Sequence, residues 1–173
     1  MEHFYYETGR LILRTPQNGD AQVLAAERST DFVLRYNLYR SCTAQDIKDE
    51  FDIYPHFILE LKENHTVIGC VSVRDDDFRY HMGAKEILAW LTEDCARKGY
   101  MSEALQPIMG AIFQNTERIS ARIFAPNKGS LALAEKLGFR KEGYLKRALK
   151  KENGEVFDVV LLSLSREEFL DTI

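Results

Sequence analysis

The sequence has little that would indicate a metalloprotein or a disulfide-bonded protein. Its 173 residues include only three cysteines and four histidines. The cysteines, Cys42, Cys70 and Cys95, are odd in number, lie far apart and form no C-x-x-C pair. The histidines show no metal-ligand spacing either. A disulfide framework and a zinc site are therefore disfavoured, and reduced thiols in a cytoplasm are the simplest interpretation.

Targeting segments and a basic excess are also missing. Residues 1–10 are polar and aromatic, without the apolar centre of a signal peptide. No uninterrupted apolar run approaches the ~18 residues that a membrane helix needs. The formal net charge is -4, whereas dedicated nucleic-acid binders usually carry an excess of basic residues. We therefore expect a cytoplasmic protein that binds neither membranes nor nucleic acid.

The composition that remains is typical of a single globular domain, which we expect to span residues 1–173. It is 45% hydrophobic and 29% charged. Hydrophobic periodicity predicts strands at 11–14, 56–61, 66–74, 85–91, 119–125, 140–149 and 156–164, and helices at 21–28, 44–51, 100–114, 127–137 and 165–170. This order predicts an α/β (α+β) fold in which helices cover a sheet.

The most informative stretch is a strand that runs into a basic turn and then into a helix. The strand ends at 88–91, the turn contains Arg97, Lys98 and Gly99, and the helix begins at Tyr100. Such a turn directs backbone N–H groups and the positive end of a helix dipole at one point, where a pyrophosphate would bind. The residues alone equally allow an ordinary turn with solvated charges. Neither a P-loop nor a dinucleotide-binding glycine pattern is present.

A second polar stretch opens the helix at 127–137. Asn127 occupies the expected N-cap position, and Ser130 follows three residues later in the first turn. Both side chains could instead face a ligand. On the residues alone, capping is favoured for Asn127, and an ordinary first-turn role is favoured for Ser130.

Taken together, these stretches resemble the GCN5-related N-acetyltransferase (GNAT) superfamily, and within it the RimJ/RimL-like ribosomal-protein acetyltransferase branch. The resemblance covers nearly the whole chain. Residues 8–14 resemble the first strand of the family, 67–69 its hairpin, 98–105 its motif A, 127–139 its motif B and 153–160 its closing hairpin.

The resemblance implies a mixed, mostly antiparallel sheet of about seven strands with helices on both faces. Its fourth and fifth strands, 85–91 and 119–125, would splay apart around acetyl-CoA, the co-substrate, and no metal is implied. The implied cofactor-binding residues are Trp90, Leu91 and Thr92 along the pantetheine arm, Arg97, Lys98, Gly99, Tyr100, Met101 and Ser102 around the pyrophosphate, and Asn127 and Ser130 beside the arm and the sulfur.

Three positions depart from the family pattern. Ala96 replaces a usual Gln or Arg, which removes one phosphate-facing side chain that Arg97 could replace. Met101 stands where Gly or Ala is common. Ala134 stands where much of the superfamily has a tyrosine that protonates the leaving thiolate. By resemblance, Ser130 would serve beside the sulfur instead.

Transfer of an acetyl group to an amine also requires oxyanion stabilisation and an acceptor for the amine proton. The backbone N–H groups of Trp90 and Leu91 are the expected oxyanion donors. Glu86 and Glu142 are the candidate proton acceptors. For Glu86, an exposed charge at the start of a strand is an equally good interpretation.

The expected function is therefore acetyl transfer from acetyl-CoA to a primary amine. A protein N-terminal α-amine is the first choice, because the resemblance is to the ribosomal-protein branch. A polyamine, an amino sugar and a non-catalytic role as an acetyl-CoA sensor remain as alternatives. The sequence leaves the oligomeric state open, with a homodimer among the options.

Overall fold

All the predicted strands and helices are present, and a short strand, a short α-helix and a 3-10 turn are added. The computed structural model describes residues 3–37, 40–79 and 82–171. In chain order the elements are β1 (Tyr5–Glu7), β2 (Leu11–Arg14), α1 (Asp20–Arg28), α2 (Asp31–Leu34), α3 (Ala44–Ile53), β3 (His56–Leu61), β4 (Val67–Asp75), β5 (Lys85–Leu91), a 3-10 turn (Glu93–Cys95), α4 (Tyr100–Ile112), β6 (Arg118–Phe124), α5 (Lys128–Lys136), β7 (Arg140–Lys150), β8 (Val156–Ser165) and α6 (Arg166–Leu170). Strand β1 and helix α2 were not predicted.

The chain divides into two compact units. The first consists of Met1–Arg74 and Leu88–Ile108, and the second of Asp75–Ile87 and Met109–Ile173. Within the first unit the strand order is β1-β2-β3-β4-β5, with antiparallel pairing from β1 to β4. Within the second it is β5-β6-β8-β7, where β5 pairs with β6 in parallel and the other pairs are antiparallel. The predicted mixed, mostly antiparallel α/β fold is confirmed, with eight strands among the described residues where about seven were expected.

In the first unit, helices α1 and α3 cover one face of the central strands. Alternate residues of β3, β4 and β5 meet these helices, because successive side chains of a strand point to opposite faces. The buried cluster consists of Ala21, Leu24, Ala25, Val33, Ile47, Ile58, Cys70 and Trp90. The indole of Trp90 is therefore part of the core, and its backbone is the part of the residue that could meet a ligand.

The ends of the helices follow the polar residues that precede them. Thr43 and Asp46 form a capping box at the start of α3. Helix α4 continues through Pro107 to Ile112. Within the part of the chain that the structure describes, no helix is both long and apolar enough to cross a membrane.

In the second unit, strands β7 and β8 form an irregular hairpin. Leu145 pairs with Val159 and Leu149 with Phe157, so that three residues of β7 lie opposite Asp158 alone. The Asp158 carboxylate accepts the backbone N–H of Arg147 at 2.7 Å and thereby holds this bulge. The bulge interrupts the regular ladder, and the basic residues of β7 are exposed along its length.

Candidate functional site

The turn between β5 and α4 contains two residues with a positive φ. Arg97 and Gly99 both have left-handed backbones, with φ of +61° and +85°, on either side of Lys98. Turns that include left-handed residues can aim successive N–H groups at one point. All three residues are exposed. The 13-residue helix α4 begins immediately afterwards and contributes its positive dipole end.

A close approach between β4 and β5 fixes the start of this turn. A Cβ atom at Gly69 would lie 2.3 Å from the carbonyl oxygen of Trp90 and 3.1 Å from the Cα of Leu91, so only glycine fits there. Beside it, the backbone N–H of Thr92 donates to the carbonyl of Ile68 at 2.8 Å. These contacts locate the last residues of β5, from which the turn departs.

An ion pair that the sequence did not single out holds the far end of the turn. The Arg10 guanidinium donates to the Lys98 carbonyl at 3.0 Å and to Glu103 Oε2 at 2.8 Å, and it lies 4.2 Å from the centre of the Tyr100 ring. Glu103 also accepts the backbone N–H of Arg10 at 2.8 Å and the hydroxyl of Thr8. Burial would raise the pKa of Glu103, but these hydrogen bonds outweigh it and lower the pKa. The sequence did contain one signal for this ion pair. Glu103 lies beside the expected anion site, and a carboxylate in that position requires a cation close by.

In the second unit, Asn127 caps helix α5 as the residues alone favoured. Its Oδ1 accepts the backbone N–H of Ser130 at 3.2 Å. This bond uses only the carbonyl oxygen, so capping is compatible with donation from Nδ2 to a ligand. Ser130 is half-buried, and Ala134 is buried one turn later.

Glu86 is buried within an ion pair, so the interpretation as an exposed strand-start charge is wrong. The residue is 2% exposed. Both of its carboxylate oxygens accept hydrogen bonds from the Arg122 guanidinium on β6. Parallel pairing places Glu86 opposite Ser120, two residues from Arg122, so the two side chains lie on one face of the sheet. The hydrogen bonds to Glu86 raise the pKa of Arg122.

Glu142, the other candidate proton acceptor, contacts two arginines. It forms a hydrogen-bonded ion pair with Arg79 and lies 3.5 Å from Arg118, and its Oε1 accepts the Ser163 hydroxyl at 2.7 Å. Its side chain is 37% exposed, against 3% for Glu86. Glu142 is thus the more accessible of the two carboxylates.

The predicted residues fall into separate groups. Those from Trp90 to Ser102 are contiguous in the first unit, at the end of β5 and the start of α4. In the second unit, Glu86 pairs with Arg122 and Glu142 pairs with Arg79, so the two carboxylates belong to different ion pairs. Among the described residues, no group of three potential metal ligands is close enough to hold an ion.

The first unit also contains an open cleft of about 710 Å³ that the sequence did not predict. It lies between the β2–α1 loop and the end of α3, and none of the predicted site residues lines it. Its lining residues are Thr15, Pro16, Gln17, Asn18, Gly19, Ala21, Lys48, Phe51, Asp52, Ile53, Tyr54, Pro55, His56 and Phe57.

The family of the chain follows from comparison with known proteins. A family model described as an acetyltransferase (GNAT) domain matches residues 10–140. The chain belongs to this family. It is an N-acetyltransferase, and GNAT enzymes take the acetyl group from acetyl-CoA and pass it to an amine. The resemblance inferred from the sequence is confirmed at this level.

Individual relatives agree on the family but differ in acceptor. The N-acetyltransferase p20 of Bacillus licheniformis is 32% identical over 181 residues, covering 98% of this chain and 99% of its own. Two solved structures share the fold. One is a ribosomal-protein-S5-alanine acetyltransferase from Vibrio fischeri, with a TM-score of 0.83 and 24% identity over 96% of this chain and 98% of the other. The second is a spermidine N-acetyltransferase from Vibrio cholerae in complex with CoA and spermine, with a TM-score of 0.82 and 18% identity over 94% of this chain and 99% of the other. The fold therefore does not select between a protein and a polyamine acceptor.

Proposed function

We propose that this GNAT enzyme binds the pyrophosphate of acetyl-CoA on the loop from Arg97 to Ser102 and the pantetheine arm along the backbone from Trp90 to Thr92. The observation that carries the proposal is the pair of left-handed residues, Arg97 and Gly99, directly before helix α4. Backbone N–H groups and a helix N-terminus together favour a doubly charged anion. From the resemblance, Asn127 contacts the pantetheine arm and Ser130 lies beside the sulfur.

The reaction forms one bond and breaks one. The neutral amine attacks the thioester carbonyl carbon, a C–N bond forms, the C–S bond breaks, and the nitrogen loses a proton while the thiolate gains one. Ala134 cannot donate that proton because a methyl group is not acidic. We assign the donor role to the Ser130 hydroxyl, directly or through water. The N–H groups of Trp90 and Leu91 stabilise the oxyanion.

For the amine proton, we propose Glu142 as the acceptor in preference to Glu86. Arg122 engages both oxygens of Glu86, so a proton arriving there would have to displace a guanidinium hydrogen bond inside a buried pair. Glu142 is more than a third exposed, which allows an amine or a bridging water to reach it. Glu142→Gln should lower kcat and preserve acetyl-CoA affinity, whereas Glu86→Gln should mainly lower stability by leaving Arg122 without its carboxylate.

We further propose that the acceptor is the α-amine of a peptide. The support is the charge of β7, the strand that carries Glu142. The cationic residues of β7 and the residue that follows it are Arg140, Lys141, Lys146, Arg147, Lys150 and Lys151. A polyamine would be repelled by this strand, whereas a peptide with acidic residues behind its N-terminus would be attracted.

An acetyl-CoA consumption assay across matched amines tests the proposal. The panel contains one peptide with a free N-terminus and acidic residues after it, the same peptide with a formylated N-terminus, a neutral analogue, spermidine and glucosamine. We expect turnover of the free peptide, a lower KM for the acidic than for the neutral form, and no reaction of the formylated one. Preferred turnover of spermidine or glucosamine would refute the peptide assignment. If the protein binds acetyl-CoA but turns over no amine of a broad panel, the alternative of a non-catalytic acetyl-CoA sensor would be supported.

A further inference from the structure

We propose that Arg10 is a positioning residue for the donor: it fixes the pyrophosphate loop and neutralises Glu103, a carboxylate that would otherwise repel the pyrophosphate. The inference rests on the proposed binding of acetyl-CoA at Arg97–Ser102. Arg10 lies outside that loop, nearly ninety residues earlier in the chain.

Each nitrogen of the Arg10 guanidinium contacts a protein partner around the loop. Its Nη1 donates to the Lys98 carbonyl at 3.0 Å, its Nε donates to Glu103 Oε2 at 2.8 Å, and its Nη2 lies 2.7 Å from the same oxygen. Its plane covers the Tyr100 ring at 4.2 Å. These contacts link the residue before Gly99 to the first turn of α4. Arg10 therefore acts on the donor through the loop.

The Lys98 carbonyl is the decisive contact for the shape of the loop. Lys98 separates the two left-handed residues, Arg97 and Gly99, and its carbonyl belongs to the peptide that leads into Gly99. A hydrogen bond to this oxygen fixes the orientation of that peptide plane, and with it the direction of the Gly99 N–H. Without Arg10 the plane is free to rotate, and the N–H groups no longer converge on one anion.

Glu103 explains why a cation is needed at this place. Its carboxylate lies in the first turn of α4, where a negative charge is stabilised by the helix dipole. The same position is close to the proposed pyrophosphate. An unpaired Glu103 would compete with the ligand for the dipole and repel it, whereas a paired one presents little net charge.

The test compares two donors, acetyl-CoA and acetyl-pantetheine, which lacks the pyrophosphate and the nucleotide. In Arg10→Gln we expect the Kd of acetyl-CoA to rise roughly tenfold to a hundredfold, the effect of losing charge-assisted hydrogen bonds. The KM of acetyl-pantetheine should stay unchanged, because that donor does not use the loop. Arg10→Lys keeps the charge but loses the planar group that can make several hydrogen bonds at once. Its Kd for acetyl-CoA should lie between those of the wild type and Arg10→Gln. Arg166→Gln, which removes an exposed cation paired with Glu117 at 3.5 Å, is the matched control and should leave both donors unaffected.

A double-mutant cycle tests the electrostatic part. Arg10→Gln with Glu103→Gln should bind acetyl-CoA more tightly than Arg10→Gln alone, because the uncompensated carboxylate is gone. Unchanged acetyl-CoA affinity in a folded Arg10→Gln variant would overturn the inference, as would an equal loss for both donors. A wild-type protein that does not bind acetyl-CoA at all would instead refute the proposed function.

Discussion

The conformation of Gly99 gives the sharpest test of the proposed donor site. Its φ of +85° lies in the left-handed region, where an L-residue costs roughly 1–2 kcal/mol and a β-branched one more. A Cβ atom at this position would also lie 3.4 Å from Nη2 of Arg10. In Gly99→Val, we expect the backbone to leave the left-handed region and to turn the loop N–H groups away from a common point.

A matched glycine separates this local effect from general destabilisation. Gly154, in the turn between β7 and β8, has a φ of +89°, and a Cβ atom there would meet nothing within 4 Å. Gly154→Val therefore carries the same kind of backbone strain in a turn that is not part of the loop. Because valine is β-branched, both variants should lose at least roughly 1–2 kcal/mol of unfolding free energy. Only Gly99→Val should lose acetyl-CoA affinity, by about a hundredfold or more if two charge-assisted hydrogen bonds to phosphate are lost.

Calorimetric titration with acetyl-CoA and thermal unfolding of both variants provide the measurements. Unchanged affinity in a folded Gly99→Val variant would show that the pyrophosphate binds elsewhere. An equal loss of affinity in both variants would show that stability, and not loop geometry, controls binding. The milder pair Gly99→Ala and Gly154→Ala should give the same contrast if the valine variants do not fold.

Three further predictions concern other parts of the molecule. Ser130→Ala should lower kcat roughly tenfold to a hundredfold and retain acetyl-CoA affinity in steady-state and binding assays; an unchanged kcat would mean that solvent protonates the thiolate. Gly69→Ala should lower the free energy of unfolding, measured by chemical denaturation, by roughly 1–3 kcal/mol, because the new methyl group forces β4 away from β5. The control is Gly110→Ala, inside α4, where a Cβ atom would lie 4.0 Å from its nearest neighbour; it should be neutral or stabilise the protein by up to about 1 kcal/mol. Equal effects of the two substitutions would contradict the close approach of β4 and β5. Burial would raise the pKa of Glu50, but hydrogen bonds from His56 and Arg28 lower it from 4.5 to about 2. The stabilising contribution of Glu50 should therefore be present above pH 4.5 and be lost as the pH falls towards 2. If Glu50→Gln leaves the slope of unfolding free energy against pH unaltered in that window, this prediction is wrong.

Local sequence patterns were sufficient for the fold because each element contains its own signals. The capping box of Thr43, the glycine turn before α4 and the apolar run of β3 are all short-range features. The missed strand and the missed α-helix are short. Strand β1 is three exposed residues, so no apolar face marks it, and α2 has only four residues after its N-cap Thr30. Neither is long enough to show a period.

The partners of the candidate catalytic residues could not be predicted, because they depend on strand register. Glu86 and Arg122 are 36 residues apart in sequence and meet through the parallel pairing of β5 with β6. Arg10 and Glu103 are 93 residues apart. Composition shows how many charges there are, but not which of them neutralise each other. The roles of Glu86 and Glu142 therefore changed most once their neighbours were known.

The ionisation of the amine also bears on the choice of acceptor. Only a neutral amine can attack the thioester, so the proposed reaction is favoured by an amine that is already partly neutral at pH 7. An α-amine has an ordinary pKa of about 7.7–8.0, and an alkylamine such as lysine about 10.4, so at pH 7 the neutral fraction of the α-amine is larger by roughly three-hundredfold. If Glu142 accepts the proton as proposed, a peptide N-terminus would therefore require less from it than an alkylamine would. The basic residues of β7, the strand that carries Glu142, would favour the same acceptor, since they would repel a polycation.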